Sequence, residues 1–130
     1  MQKRESKFVP VFQSWLKNVY KKTCAWETKV STEDSWPYSR LEEHQETALL
    51  AVANGTFSYK ISDESIGFKP FDGFCYDHSP AYVAILYEKS NTFYVIPINN
   101  LVFYRYHRAK RKSLTELETK EISIKQVKLK

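Results

Sequence analysis

The sequence predicts an α/β protein in which a mixed β-sheet is flanked by helices, and three observations predict it. An amphipathic helical pattern opens the chain, a strand and a second helix follow, and four short strand-like runs separated by turn residues fill the centre. The order helix, strand, helix, strands suits helices packed against one sheet.

Phe8, Val11, Phe12, Trp15, Leu16 and Val19 recur at helical spacing and predict a helix over residues 8 to 20, with Pro10 in its first turn and Glu5 outside it. Residues 22 to 31 read as a strand, and the polar, Pro37-containing stretch from 31 to 38 as a loop. Ser39 with Glu42 fits a capping box and Asn54-Gly55 a stop, which bounds a second helix at 40 to 53. Its buried stripe is Leu41, Ala48, Leu49 and Val52; Gln45 falls inside the stripe, while His44 lies on its shoulder. An inward amide needs partners, so Gln45 either satisfies a backbone group or faces a polar site.

Strands are expected at 56 to 61, 67 to 76, 81 to 87 and 92 to 98. Leu101, Val102 and Phe103 lead a third helix over 99 to 107, and Ser113 with Glu116 marks a capped turn. Residues 1 to 7 and 121 to 130 read as peripheral ends of a single domain, for which 130 residues suffice.

Composition excludes several classes. Hydrophobic residues make up 42% and aromatics 15%, too many for a disordered chain, and no apolar run is long enough to cross a bilayer. No apolar segment follows the charged start Met1 to Lys7, so no secretory signal is read and a cytoplasmic location, in a bacterial or phage-infected cell, is the expectation. Cys24 and Cys75 lie in strand-like runs and read as buried, reduced thiols. The net charge of +5 is concentrated in Arg105, Arg108, Lys110, Arg111 and Lys112, interleaved with Tyr104, Tyr106 and His107. Such a segment suits phosphates and stacked bases, or else is a solvated helix end.

The most telling stretch is Ala25-Trp26-Glu27-Thr28-Lys29-Val30. On a strand Glu27 and Lys29 share one face and Trp26, Thr28 and Val30 the other. A carboxylate beside an ammonium can hold a divalent cation and polarise a water or phosphate, or form an ordinary ion pair. In Lys69-Pro70-Phe71-Asp72-Gly73 the aspartate is either a turn residue or a second acid for such a site.

An acid-x-lysine strand followed by a helix with an inward glutamine resembles the PD-(D/E)XK nucleases, and among them the Holliday-junction resolvases of bacteria and phages. The matching stretches are Glu27-Thr28-Lys29, Ser35-Trp36-Pro37-Tyr38-Ser39 and Glu43-His44-Gln45-Glu46-Thr47-Ala48-Leu49. The runs Ala81 to Tyr87 and Thr92 to Ile98, then Arg111-Lys112-Ser113-Leu114-Thr115, extend the likeness over most of residues 8 to 125. The resemblance implies a restriction-endonuclease-like sheet. Glu27, Asp72 and the Thr28 carbonyl would hold Mg²⁺ or Mn²⁺, Lys29 would stabilise charge, and Gln45 would position the nucleophile. It further implies a homodimer that nicks four-way DNA symmetrically, with Lys69, Arg105, Arg108, Lys110, Arg111 and Lys112 on phosphates.

Two departures accompany the likeness. The family's aspartate precedes its Glu-x-Lys strand, whereas Asp72 follows it, so the strand order must be permuted, with Asp63 or Asp77 as alternatives. The first helix carries Gln13 but no acid on its stripe, which favours one metal. Three other readings stand beside it. One is a restriction or repair nuclease, another a non-catalytic nucleic-acid-binding module. The last is a zinc site from Cys75 and His78 with Cys24 and His44.

Overall fold

A computed structural model describes residues 3–19, 23–62 and 69–130, and helices cover both faces of a mixed four-stranded sheet. The order is α1 (Lys3–Val19), β1 (Ala25–Ser31), β2 (Ser35–Pro37), a 3₁₀ turn (Tyr38–Arg40), α2 (Glu43–Asn54), β3 (Thr56–Lys60) and β4 (Gly73–Asp77). There follow β5 (Ala81–Tyr87), β6 (Thr92–Pro97), α3 (Ile98–Phe103) running into a wide turn (Tyr104–Arg108), β7 (Ser113–Thr115), α4 (Glu116–Ile122) and β8 (Lys125–Lys128).

The main sheet has the order β1-β5-β6-β8. β1 runs parallel to β5, while β5–β6 and β6–β8 are antiparallel. β5 and β6 are nearly continuous apolar runs because both of their faces are covered. On one face Phe8 and Phe12 of α1 pack with Val30, Tyr82, Ala84, Phe93 and Val95. On the other, Leu49 and Val52 of α2 and Ile98 and Leu101 of α3 pack with Val83, Ile85, Tyr94 and Ile96. Burying an aromatic such as Phe12, which is fully enclosed, stabilises the fold by roughly 1.5–3 kcal/mol. Two small ribbons, β2–β7 and β3–β4, lie outside this sheet.

Several boundaries differ from expectation. α1 begins at Lys3, so Pro10 sits inside the helix rather than in its first turn. Pro10 is exposed, which leaves hydration and slight bending to absorb the missing hydrogen bond. Val11 and Val19 of the expected stripe remain exposed. The α2 box uses Glu42 and Gln45, not Ser39 and Glu42, and Ala48 faces solvent. The predicted loop after β1 contains β2, because Trp36 is fully buried and pairs across to Leu114. Thr115 and Glu118, rather than Ser113 and Glu116, cap α4. Near the ends, Glu5 is buried in α1 and β8 adds an edge strand to β6. The predicted strand at 67 to 76 is shorter, beginning at Gly73, and its first two residues lie outside the described ones.

Candidate active site

Strand alternation sets the site. Trp26 and Val30 turn toward α1, so Glu27 and Lys29 lie on the face covered by α2. Lys29 is 7% exposed, and a buried ammonium is tolerated only with charged or polar partners around it. It has them: Glu27 Oε2 lies 3.5 Å from Lys29 Nζ, and Glu5 Oε1 approaches the same nitrogen at 3.7 Å. Glu5 comes from the first turn of α1, so two elements bring carboxylates to one ammonium. The separations are those of ion pairs rather than tight hydrogen bonds.

Gln45 completes the cluster from the first turn of α2. Its Nε2 donates to Glu27 Oε2 at 3.1 Å, while its Oε1 accepts the backbone N–H of Glu42 at 3.0 Å. One amide therefore meets both needs that an inward glutamine presents. The capping contact fixes the side chain, and the fixed side chain orients the carboxylate.

The backbone of β1 adds a further donor. Ala25 N–H bonds to Pro80 C=O and Ser31 C=O accepts from Glu88 N–H, so the odd-numbered residues of β1 direct their polar groups toward β5. By alternation Trp26, Thr28 and Val30 direct theirs to the outer edge of β1, along which no described strand pairs. The Thr28 carbonyl thus points to the edge of β1 that no described strand pairs with.

Asp72 is placed differently. It precedes β4 on the β3–β4 hairpin, its side chain is 93% exposed, and it pairs with Lys69 at 3.3 Å. Its contacts among the described residues lie within the hairpin, and none is to Glu27, Lys29 or Gln45. The following Gly73 explains the local sequence: a Cβ there would collide with the Tyr59 backbone, so the position requires glycine. Asp77 bonds to Thr56 and His78, and Asp63 lies outside the described residues.

Glu5 is the residue that sequence reasoning left outside the helix. Stepping back three residues from Phe8 along the stripe Phe8, Phe12 would have reached it.

Among the described residues no group of three or more His, Cys, Asp or Glu could hold a metal. Side-chain ligation at the cluster is limited to Glu27 and Glu5. Carboxylates are the donor type that Mg²⁺ or Mn²⁺ takes, with water in the other positions, and the Thr28 carbonyl is of the same chemistry. That set does not suit zinc. Cys75 is exposed, against expectation, Cys24 is half-buried, and His78 is engaged by Asp77.

Of the basic residues, Arg105 is half-buried and pairs with Glu46 at 3.4 Å, and Arg111 pairs with Glu118 at 3.8 Å. Arg108, Lys110 and Lys112 are exposed and have no carboxylate partner among the described residues. No described helix is long and apolar enough to cross a membrane. No protein-family model, curated protein or solved structure matches this chain.

Proposed function

We propose that this protein is a divalent-metal-dependent endodeoxyribonuclease of PD-(D/E)XK type, acting on branched DNA as a homodimer. The observation that carries the reading is the convergence of Glu27, Glu5 and Gln45 around a buried Lys29 on the edge strand of the sheet.

Glu27 and Glu5 would hold Mg²⁺ or Mn²⁺, with the Thr28 carbonyl available as a third oxygen. When bound, the cation lowers the pKa of water and offsets negative charge on the phosphate. Lys29 supplies a fixed positive charge to the phosphoryl oxygens as negative charge develops there, and its burial strengthens that effect. Gln45 holds the Glu27 carboxylate in one orientation, so no reorganisation is needed at the moment of reaction. The exposed cations Arg108, Lys110 and Lys112 contact backbone phosphates, which makes binding fall with salt. Resolution of a junction needs two nicks, hence two sites related by a two-fold axis.

The test is incubation with an end-labelled four-way junction and a matched duplex in Mg²⁺, Mn²⁺ or EDTA. Paired, metal-dependent nicks confined to the junction support a resolvase, and equal cutting of both substrates supports a restriction or repair nuclease. Binding without cutting under every condition would leave a nucleic-acid-binding module.

A further inference from the structure

A pocket next to α2 takes in Lys112 and adds groups to which the proposed function gives no role. Tyr38, Ser39, Arg105, Tyr106, Arg111 and Lys112 line a cavity of about 410 Å³. This lies within the roughly 300–1,000 Å³ typical of pockets that enclose a small ligand. Its walls combine three cations with two phenol rings.

The Arg105 guanidinium lies 5.6 Å from the ring centre of Tyr38 and 5.1 Å from that of Tyr106, a cation held between two aromatic rings. Glu46 anchors it from below, accepting from Arg105 at 3.4 Å and from the Tyr106 hydroxyl at 3.3 Å. Lys112 is held by its backbone, where its C=O accepts from Tyr38 N–H, and its ammonium has no carboxylate partner among the described residues. Arg111 is two-thirds exposed and only loosely paired.

Tyr38 is the buried wall of this pocket. The residue is 4% exposed, and its hydroxyl is buried without a hydrogen-bond partner. A buried donor left unmatched is costly. Burial, with Glu118 and Tyr104 nearby, pushes the phenol pKa up to about 12 despite the opposing Arg105 charge, so the group remains a donor at neutral pH.

We infer that this pocket binds one nucleotide unit of a DNA strand, its phosphate against Lys112 and Arg111 and its base against the Tyr106 ring. The inference rests on the nuclease reading and names how the same face grips its substrate. Gln45 and Glu46 are consecutive on α2: the first orients Glu27 and the second holds Arg105 and Tyr106. A single helical turn therefore sets both the candidate active site and the pocket. A nucleotide seated there fixes the register of the strand relative to Glu27.

The experiment is fluorescence anisotropy of the full chain with a short labelled oligothymidylate in EDTA, across a range of salt, so that cleavage plays no part. Three variants are compared with the wild type: Arg111→Ala/Lys112→Ala, Tyr106→Ala, and the charge-matched control Lys125→Ala/Lys128→Ala on β8. The pocket double variant should bind about tenfold more weakly and lose salt dependence by about 0.7 in slope for each phosphate contact removed. Tyr106→Ala should lose about tenfold, and Tyr106→Phe, which keeps the ring, should restore most of it. The β8 control should change affinity less than twofold.

Equal losses in the pocket and β8 variants would overturn the pocket while leaving a cutting wild type as a nuclease. Selective loss at the pocket in a protein that cuts with no divalent ion would do the reverse. Thermal unfolding of each variant separates lost contact from lost fold.

Discussion

Strand β1 and the β3–β4 hairpin each carry an acidic residue beside a lysine, and there the likeness stops. In β1 the last four residues, Thr28 to Ser31, are buried, and its charges meet partners from α1 and α2. In the hairpin most strand residues are exposed, and Tyr59 stacks on Phe74, which meets Tyr76 edge-on, while Phe57 and Tyr76 alone reach the core among its described rings. Lys29 is therefore buried and Glu27 is held by Gln45, whereas Asp72 and Lys69 form a pair whose carboxylate is screened by water. Sequence spacing sets which groups are near one another along the chain. Packing on both sides decides whether their proximity can do chemistry.

The largest effect expected from this contrast is on cleavage. Glu27→Ala should reduce single-turnover cutting to background, and Lys29→Ala should reduce it by about 10²–10³-fold, whereas Asp72→Ala should leave it within twofold. A loss of activity in Asp72→Ala would break the contrast outright. Gln45→Ala acts one step removed, through the orientation of Glu27, and should cost about 10–100-fold. Because Gln45 also caps α2, Gln45→Glu is the sharper variant: it keeps the acceptor for Glu42 N–H and sets a second carboxylate against Glu27.

Stability should divide along the same line. Phe12→Ala, beneath β1, should lower the unfolding free energy by about 3–5 kcal/mol, while Phe74→Ala on the hairpin, 42% exposed, should cost less than about 1 kcal/mol, both by urea titration.

The fold was legible in the sequence wherever a side chain had one dominant constraint. β5 and β6 read as apolar runs because both their faces are buried, and α2 read as a helix because its stop and stripe are local. The elements that escaped, β2, β7 and β8, are three or four residues long and owe their existence to pairing across the chain. Trp36 in β2 meets Leu114 in β7 at a sequence distance no periodicity reveals.

The site was half legible for the same reason. Glu27, Lys29 and Gln45 were visible from strand alternation and helix phase. Glu5 was hidden by Pro10, which reads as a helix start and is in fact a mid-helix residue on the solvent side. Asp72 was singled out by its neighbours in sequence, but those neighbours belong to a turn.

The smallest effect expected is a pH dependence far from both regions. Burial pushes the Glu118 carboxyl up, but hydrogen bonds from Tyr104 and Thr115 and the Arg111 charge outweigh it and hold its pKa below the ordinary carboxylate value. A carboxylate depressed in the folded state contributes stability above its unfolded pKa, and loses that contribution as pH falls through the folded value. The Tm advantage of wild type over Glu118→Gln should be about 2–4 °C at neutral pH and should shrink steadily below pH 4.5. An advantage unchanged in acid would show that the α4 cap does not depend on this charge.

The central claim is that one cation site forms at Glu27 and not at Asp72. Mn²⁺ titration followed by electron paramagnetic resonance addresses it without reference to any substrate. One bound ion per chain, lost in Glu27→Ala, weakened in Glu5→Gln and retained in Asp72→Ala, is the predicted result. An ion that survives Glu27→Ala, or that is lost in Asp72→Ala, would contradict it.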